Sequence, residues 1–311
     1  MKFSLIDELR SRHPVQRLCT LLGVSASGYY AWRSRPQSDH GRDDRRLRVE
    51  IRAVFKASRE TYGTRRIQDE LHDQGVLCSR HRIARLMRAS GLQAKKARQF
   101  RVTTHSCAAR PVAENRLDQC FEAARPDEIW AADITYIRTL EGWLYLAVIL
   151  DLCSRRIVGW SLRPYLDDRL PLEALRRALH ERSAPRIHHS DRGSQYASDD
   201  YRELLQVSGI DQSMSRRGNC YDNAPVESFF DSLKTEEVAD RVYRTRQAAR
   251  YCIVDYIERF YNRTRRHSGV GGLSPAAFEQ RLSEAPGAPV SVGLQELESI
   301  AQTNGLPERL N

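Results

Sequence analysis

The segment EIWAADITYI, residues 128–137, places a carboxylate in the middle of a run of strand-forming residues. Aspartate is depleted from strand interiors, and a charge in an apolar strand costs free energy unless it is paired or binds a metal. Asp133 is therefore a candidate functional residue. Two further strand patterns, GWLYLAVILDL at 142–152 and RIVGWSL at 156–162, follow after short connections. Strands joined this closely predict an antiparallel meander.

After the meander, helical and strand patterns alternate. LPLEALRRALHER has an amphipathic helical period, and PRIHHSD is a short strand pattern that ends at Asp191. A helix, a short strand and a further helix follow, and the first turns of that last helix contain Glu227. The order β-β-β-α-β-α-β-α predicts an α/β fold with a mixed sheet for residues 125–281. Ligands of such sheets gather at the carboxyl ends of strands, where Asp191 lies.

The first half of the chain is strongly basic. Residues 1–120 hold 25 Lys and Arg against 12 Asp and Glu, whereas residues 121–311 hold 25 against 28. This asymmetry favours a polyanion such as nucleic acid as partner, although an arginine-rich surface facing water also fits. Residues 94–124 have no apolar period and are interpreted as a basic linker, either along a DNA backbone or simply between domains.

Two helix-turn-helix patterns precede this linker, one within residues 1–36 and one within residues 40–93. The first pattern fits a DNA-contacting unit and a small helical docking module equally well. The last helix of the second pattern combines an apolar face with a row of arginines, as recognition helices do. A plain charged helical hairpin is the alternative. The residues expected to contact DNA here and at the start of the linker are Arg80, Arg82, Arg85, Arg88, Lys95 and Lys96.

Several classes of protein are disfavoured. No apolar run reaches the roughly 18 residues of a membrane helix, and MKFSLIDELRSRHP lacks the apolar core of a signal peptide. The seven cysteines include no C-x-x-C pair, which argues against a disulfide framework and a zinc knuckle. We therefore expect a cytoplasmic protein without a membrane partner.

The ordered segments WAADITYI, HHSDRGSQY, GNCYDNAPVESFF and RTRRHSGVGGLSPAAF resemble the OrfB product of bacterial insertion sequences of the IS-three family. The resemblance covers roughly residues 10–280, and 35 residues lie between the last two acids. It implies a ribonuclease H-like core, shared with retroviral integrases and DDE transposases, preceded by small all-α helix-turn-helix domains. The HHCC zinc module of retroviral integrases is not evident. Asp133, Asp191 and Glu227 match the catalytic, metal-binding acids of that core.

The resemblance also implies an activity. Two Mg²⁺ or Mn²⁺ ions per site would support DNA strand cleavage and strand transfer at terminal inverted repeats, with Asp133 contacting both ions. The expected partners are double-stranded DNA, a second copy of the chain and an OrfA-derived partner or fusion, in the bacterial cytoplasm at the nucleoid. Further DNA contacts are expected from Lys234, seven residues after Glu227, and from the basic cluster Arg265, Arg266 and His267.

Other residues and functions compete with this interpretation. Asp222 is expected to cap the helix or bond with Asn219 and Asn223, and Asp151 to form a turn. His188 and His189 either line the site or support it. A catalytically inactive helix-turn-helix regulator would need only the basic half, and a stand-alone ribonuclease H-like nuclease or junction resolvase would need only the acids. The C-terminal tail, residues 282–311, receives no function.

Overall fold

A computed structural model describes residues 2–34, 38–95, 113–216, 220–239 and 241–284. These residues form eleven α-helices and five strands, arranged as two small helical units followed by a sheet with helices on both faces. The order of elements in the core confirms the predicted β-β-β-α-β-α-β-α succession.

The first helical unit contains α1 (Lys2–Leu9), α2 (Val15–Leu21) and α3 (Ala26–Ser34). Its small core forms because one face of each helix is apolar. The buried residues of this core are Ile6, Leu18, Cys19 and Tyr29. Gly23 adopts φ +61° in the turn between α2 and α3, a conformation that glycine reaches without steric cost.

The second helical unit contains α4 (Asp39–Ala57), α5 (Thr64–Asp73) and α6 (Arg80–Ala89). Apolar residues recur on one face of each helix and meet in a common core. That core includes Leu47, Ile51, Val54, Phe55, Ile67, Leu71, Ile83 and Leu86. Ser79 begins α6, because its hydroxyl accepts a hydrogen bond from the Arg82 amide at 3.3 Å. Both helical units therefore have the predicted helix-turn-helix character.

The core is built on a five-stranded mixed sheet with strand order β3-β2-β1-β4-β5. Its strands are β1 (Ile129–Thr139), β2 (Gly142–Asp151), β3 (Ile157–Arg163), β4 (Ile187–Ser190) and β5 (Asp211–Met214). The first three strands are antiparallel, and β4 and β5 extend the sheet in parallel with β1. This arrangement is the ribonuclease H-like sheet.

Helices cover both faces of the sheet. α7 (Arg169–Glu181) and α8 (Asp199–Val207) pack on the face that contains Trp130. Gly159 permits the close approach of α7, since a Cβ at this position would lie 2.4 Å from the Ala174 carbonyl oxygen. α9 (Ala224–Leu233) packs on the opposite face.

Two helices of this second face end in widened turns. α9 continues into a first π-helix, Lys234–Val238, and α10 (Arg246–Asp255) continues into a second, Tyr256–Tyr261. α11 (Pro275–Glu284) follows. Such π segments are rare and often occur at functional sites.

The described part of the predicted linker, residues 113–124, differs from the sequence interpretation. Within residues 113–124, Leu117 is buried in the sheet core and the Arg116 amide donates to the Ser213 hydroxyl at 2.9 Å. This part of the predicted linker therefore packs on the core. Lys96 and residues 285–311 lie outside the described residues. No helix in the described ranges is long and apolar enough to cross a membrane.

Candidate active site

Asp133 lies on the central strand of the sheet, at the point where its neighbour ends. β1 pairs with β4 from Ile129 to Ala132, and β4 ends at Ser190, the partner of Ala132. Asp133 is therefore the first residue of β1 beyond this pairing. Its side chain is half-buried, and Oδ1 accepts a hydrogen bond from the Ile134 amide at 2.7 Å.

Asp191 lies beside Asp133 because of the strand register. It directly follows Ser190, so both acids come one position after the last pair of two parallel strands. Its Oδ1 accepts a hydrogen bond from the Gly193 amide at 3.0 Å. This loop bond holds the carboxylate at the carboxyl end of β4, the edge where ligands bind in such sheets.

Glu227 lies in the first turn of α9, a helix that starts near the carboxyl end of β4. The Asn223 side chain, at the helix start, donates from Nδ2 to the Ala132 carbonyl oxygen at 3.1 Å. Val226 and Phe229 are buried against the sheet, while Glu227 is exposed. One hydrogen bond thus joins the start of α9 to the residue that precedes Asp133. Sequence reasoning named Asn223 only as a partner of Asp222 and missed this contact with Ala132, although its place two residues before Pro225 marks a helix start.

All three acids have a raised carboxyl pKa. Burial, the nearby Asp191 and then Glu227 raise the pKa of Asp133 well above its ordinary value. Burial raises the pKa of Asp191. Burial and then Asp231 raise the pKa of Glu227. Lys234 acts in the opposite direction on Asp133, because its positive charge favours the carboxylate.

The donor set fits a hard divalent cation. Three carboxylates supply oxygen ligands only, which are the ligands of Mg²⁺ and Mn²⁺. Among the ion pairs of the described residues, none involves these three acids. Within the same residues, no three Asp, Glu, His or Cys side chains, these acids included, are grouped closely enough to hold a metal ion by themselves. Burial is the main cause of the raised pKa of each acid, and a bound cation would act in the opposite direction by favouring the carboxylates.

Asp222 has a structural role close to this cluster. Its carboxylate is buried and accepts hydrogen bonds from the Arg216 amide at 2.7 Å, from Arg216 Nε at 3.0 Å and from Gln119 Nε2 at 3.1 Å. Asn115 Nδ2 donates to it at 3.0 Å. The hydrogen bond from Arg216 lowers the pKa of Asp222. Asp222 therefore anchors residues 115–119 to the loop before α9. The expected partner Asn219 lies outside the described residues.

Asp151 forms the turn after β2, as predicted. Its buried carboxylate accepts hydrogen bonds from the amides of Ser154 and Asp127, each at 2.7 Å. Burial raises the pKa of Asp151 despite these bonds. The residue therefore organises two loops at the end of β2.

His188 and His189 support the sheet rather than carry charge. His189 lies between the hydroxyls of Ser213 and Ser215, at 2.9 and 3.1 Å, and His188 Nε2 lies 2.9 Å from the Tyr201 hydroxyl. Burial lowers the pKa of His188 to about 3 and that of His189 to about 4. Both rings are therefore neutral at pH 7.

The arginines of α6 divide into two groups. Arg82 Nε and Arg85 Nη2 bind the buried Asp44 of α4, at 2.8 and 2.7 Å, and the hydrogen bond from Arg85 lowers the pKa of Asp44 to about 2. Arg80 and Arg88 are exposed. Arg85 is also half-exposed, so its guanidinium still reaches the surface of the helical unit.

The basic cluster at 265–267 contributes to the interior instead of the surface. Arg265 is only 5% exposed and binds Glu236 through Nη2 at 2.7 Å. Arg266 Nε binds Glu70 at 2.7 Å. Burial lowers the pKa of His267 to about 4, so its ring is neutral. These placements disfavour the predicted DNA contacts, because the positive charges are already paired or absent. Sequence alone does not reveal such distant partners.

Lys234 and Lys95, the two described lysines among the predicted DNA contacts, both lie against the core. Lys234 Nζ lies 6.0 Å from the centre of the Tyr136 ring, on the side of α9 toward Asp133. Lys95 Nζ donates to the Glu236 carbonyl oxygen at 2.7 Å, which ties the end of the second helical unit to the core.

Comparison with known proteins supports this architecture. Residues 123–220 and 227–282 match models described as integrase core domain, and residues 42–100 match an HTH-like domain. Two solved structures share only distant similarity. They are the HTLV-2 integrase catalytic core domain in complex with magnesium (16% identity, 51% of this chain and 99% of that chain, TM-score 0.40) and a simian T-cell lymphotropic virus intasome (17% identity, 73% and 76%, TM-score 0.44).

Curated relatives are much more similar. The 31 kDa protein of insertion element IS600 from Shigella sonnei is 47% identical, over 86% of this chain and 99% of its own length. Transposase InsF for insertion sequence IS3A from Escherichia coli K12 is 42% identical, over 90% of this chain and 99% of its own length. Similarity at this level spans both the helical units and the core. The chain therefore belongs to the IS3 family of insertion-sequence transposases, enzymes with an integrase core domain.

Proposed function

We propose that this chain cuts and joins DNA strands at the terminal inverted repeats of its insertion sequence, with Asp133, Asp191 and Glu227 as its catalytic acids. The observation that carries the proposal is the strand register, in which Asp133 and Asp191 each come one position after the last pair of β1 and β4. The Asn223 hydrogen bond to Ala132 supports Glu227 as the third acid, because it joins the start of α9 to the residue before Asp133. A regulator without activity would not need three raised carboxyl pKa values at one sheet edge.

The carboxylates of Asp133, Asp191 and Glu227 would hold the two Mg²⁺ or Mn²⁺ ions. Bound ions of this type activate an attacking oxygen and stabilise the leaving oxygen in phosphoryl transfer. The Ile134 and Gly193 amides orient the carboxylates of Asp133 and Asp191. Because these acids have raised pKa values, binding of the cations displaces protons and is favoured at higher pH.

The reaction would proceed in two steps. Water attacks a phosphorus atom at the element end, the bond to the 3′-oxygen breaks, and a free 3′-hydroxyl remains. That hydroxyl then attacks a second phosphodiester, forming one bond and breaking another, so that the number of phosphodiesters is unchanged. Lys234 would contact a phosphate during both steps, and its position beside Tyr136 of β1, the strand of Asp133, supports this role.

DNA would be bound by the second helical unit. Arg80, Arg85 and Arg88 present exposed positive charge on α6, and Arg82 remains partly accessible beside Asp44. These side chains suit phosphates and guanine edges. Lys95 and Lys96 would extend this basic surface, and we keep Lys96 as a proposal from the sequence alone. The segment 1–36 is proposed as a further DNA-contacting or docking unit.

Processing of two element ends implies at least two copies of the chain on DNA. An OrfA-derived segment is proposed as partner or fusion, because the family resemblance implies one. The substrate is chromosomal or element DNA, so the enzyme would act in the bacterial cytoplasm at the nucleoid.

We also propose residues 1–36, 40–93 and 125–281 as the units in which the chain folds.

The proposal is tested with DNA that carries the element ends, labelled near the junction and incubated with purified protein and Mg²⁺, with and without the OrfA product. Wild type should give nicked and joined products. Glu227→Gln should give neither, and Asp231→Asn, four residues further along α9, serves as matched control and should remain within ~3-fold of wild type. Cleavage without joining would indicate a nuclease, and unimpaired Glu227→Gln would contradict the assignment of the third acid.

A further inference from the structure

The second helical unit is attached to the core through a small set of polar contacts. Tyr62, in the turn after α4, accepts a hydrogen bond on its hydroxyl from the Arg266 amide at 2.8 Å and donates to the Thr264 carbonyl oxygen at 3.2 Å. The Arg266 guanidinium binds Glu70 and Asp73 of α5. The segment 264–266 therefore acts as the docking site of the helical unit.

The turn after α4 makes a second attachment. Arg59 Nη2 binds Asp255 at 2.6 Å, and Arg59 Nη1 lies 3.5 Å from Glu237. Arg59 and Glu60 both have positive φ, +56° and +64°, which is unusual for residues with side chains. Because such a conformation persists only where the surroundings hold it, these contacts fix the turn in place.

A third set of contacts between the helical unit and the core involves Glu236, a buried acid in the first π-helix. Its carboxylate accepts hydrogen bonds from Arg265 Nη2 at 2.7 Å and from the Tyr256 hydroxyl at 2.7 Å. Arg66 of α5 lies 3.8 Å away, and Lys95 binds the Glu236 carbonyl oxygen. One residue of the core thus contacts the middle and the end of the helical unit.

Glu236 belongs to the same continuous helical segment as Glu227. Arg265 Nη2 also donates to the Ser232 hydroxyl at 3.0 Å, so it holds the end of α9 at two points. The wide π turn places both Glu236 and Glu237 in the interior, which a regular helix would do less readily for adjacent residues. A shift of Glu236 would therefore move the helix that presents Glu227.

We propose that Glu236 is a positioning residue, which fixes the DNA-reading helical unit against the helix that carries Glu227 and so determines which phosphate is cut. This inference rests on the proposed strand cleavage. The helical unit would hold the terminal repeat at one set distance from the acids. Positioning of this kind has large effects on rate, because displacement by about 1 Å costs about 10²-fold.

The main experiment compares Glu236→Gln with wild type on the labelled element end, reading the cut position at single-nucleotide resolution. Glu236→Gln should bind the repeat within ~3-fold of wild type, lose about 10²-fold in kcat and cut at several neighbouring phosphates. Glu173→Gln is the matched control, since Glu173 also binds an arginine, Arg163, but on the opposite face of the sheet. The control should keep one sharp cut.

A second variant acts from the helical unit and leaves the buried Arg265–Glu236 pair intact. The double variant Tyr62→Phe and Arg66→Met removes both hydrogen bonds of the Tyr62 hydroxyl and the ion pair between Arg66 and Glu236. This variant should also cut at several neighbouring phosphates. A single sharp cut at the wild-type rate in both variants would overturn the proposal. Parallel loss of melting temperature, binding and rate would overturn it as well, because it would indicate a merely structural role.

An activity-independent measurement separates this inference from the proposed function. Amide hydrogen exchange in Glu236→Gln should accelerate in α5 and α9 together, by ~10-fold or more, while α7 stays unchanged. Unchanged exchange in α5 or α9 would overturn the coupling, whether or not the wild type cuts DNA. Failure of wild type to cut, with coupled exchange intact, would instead refute only the proposed function.

Discussion

Asp222 and Glu227 are five residues apart and have opposite surroundings. Asp222 is 1% exposed and bound by Arg216, which lowers its pKa, whereas Glu227 is exposed, lacks an ion pair among the described residues, and has a raised pKa. The same contrast separates Asp44, bound by two arginines, from Asp133 and Asp191. The presence of a counter-charge, rather than burial, thus separates the acids with a structural role from the three acids proposed as catalytic.

The sharpest test of this contrast is the replacement of an unpaired acid. Asp191→Asn should lower strand cleavage by at least ~10³-fold, about 4 kcal/mol, because a ligand of the required cations is lost. Its melting temperature should equal or exceed that of wild type, since no ion pair is broken. Cleavage assays and thermal unfolding of the same preparation measure both effects. Near-normal cleavage would remove Asp191 from the site.

A paired acid should show the reverse result. Asp222→Ala should lower the free energy of unfolding by ~3 kcal/mol, because Arg216, Asn115 and Gln119 lose a buried acceptor. Glu227→Gln should leave that free energy nearly unchanged. Urea unfolding of the two variants provides the comparison. Equal stabilities would show that Asp222 does not anchor residues 115–119.

The raised pKa of Asp133 predicts a pH effect on the metal-free protein. An unfolded aspartate loses its proton near pH 4, while folded Asp133 retains it to higher pH, so stability falls as pH rises from about 4 through the raised pKa. Asp133→Asn removes this loss. In EDTA at pH 7 its melting temperature should exceed that of wild type by roughly 2–4 °C, and Mg²⁺ should narrow the difference. A difference in melting temperature between Asp133→Asn and wild type that stays constant from pH 4 to pH 8 would contradict the prediction.

The smallest effects are expected on α6. Arg88→Ala should weaken binding to the element ends and reduce the slope of log affinity against log salt by about 1, as loss of one phosphate contact does. Arg82→Ala should change that slope less, because Arg82 already binds Asp44. Binding titrations at several salt concentrations distinguish them. Identical slopes in both variants and wild type would exclude α6 from the DNA surface.

Sequence patterns predicted the parts of the fold that depend on local periodicity. Apolar alternation and helical spacing gave the order of strands and helices, and an acid inside the strand pattern at 129–139 marked Asp133. Ser79, predicted to start the second helix of the second helix-turn-helix pattern, does begin α6. These features are properties of a few neighbouring residues, so a single sequence contains them.

Features that depend on distant partners were not predictable in this way. A row of basic residues at 265–267 has the same composition whether it faces DNA or Glu236 and Glu70. The packing of residues 113–124 on the sheet depends on Leu117 and on hydrogen bonds to residues about one hundred positions away. The hydrogen bond between Glu236 and Tyr256, which joins the two π-helices, likewise spans twenty residues and is not visible in local sequence.

The hydrogen bond between Asn223 and Ala132 has a consequence for synthesis on the ribosome. The second helical unit ends at Ala89, so it can fold early, whereas Glu227 and the docking segment 264–266 emerge much later. Domains generally fold in the order in which they leave the ribosome. A nascent chain therefore can carry a folded second helical unit long before Glu227, the third acid of the proposed site, has left the ribosome.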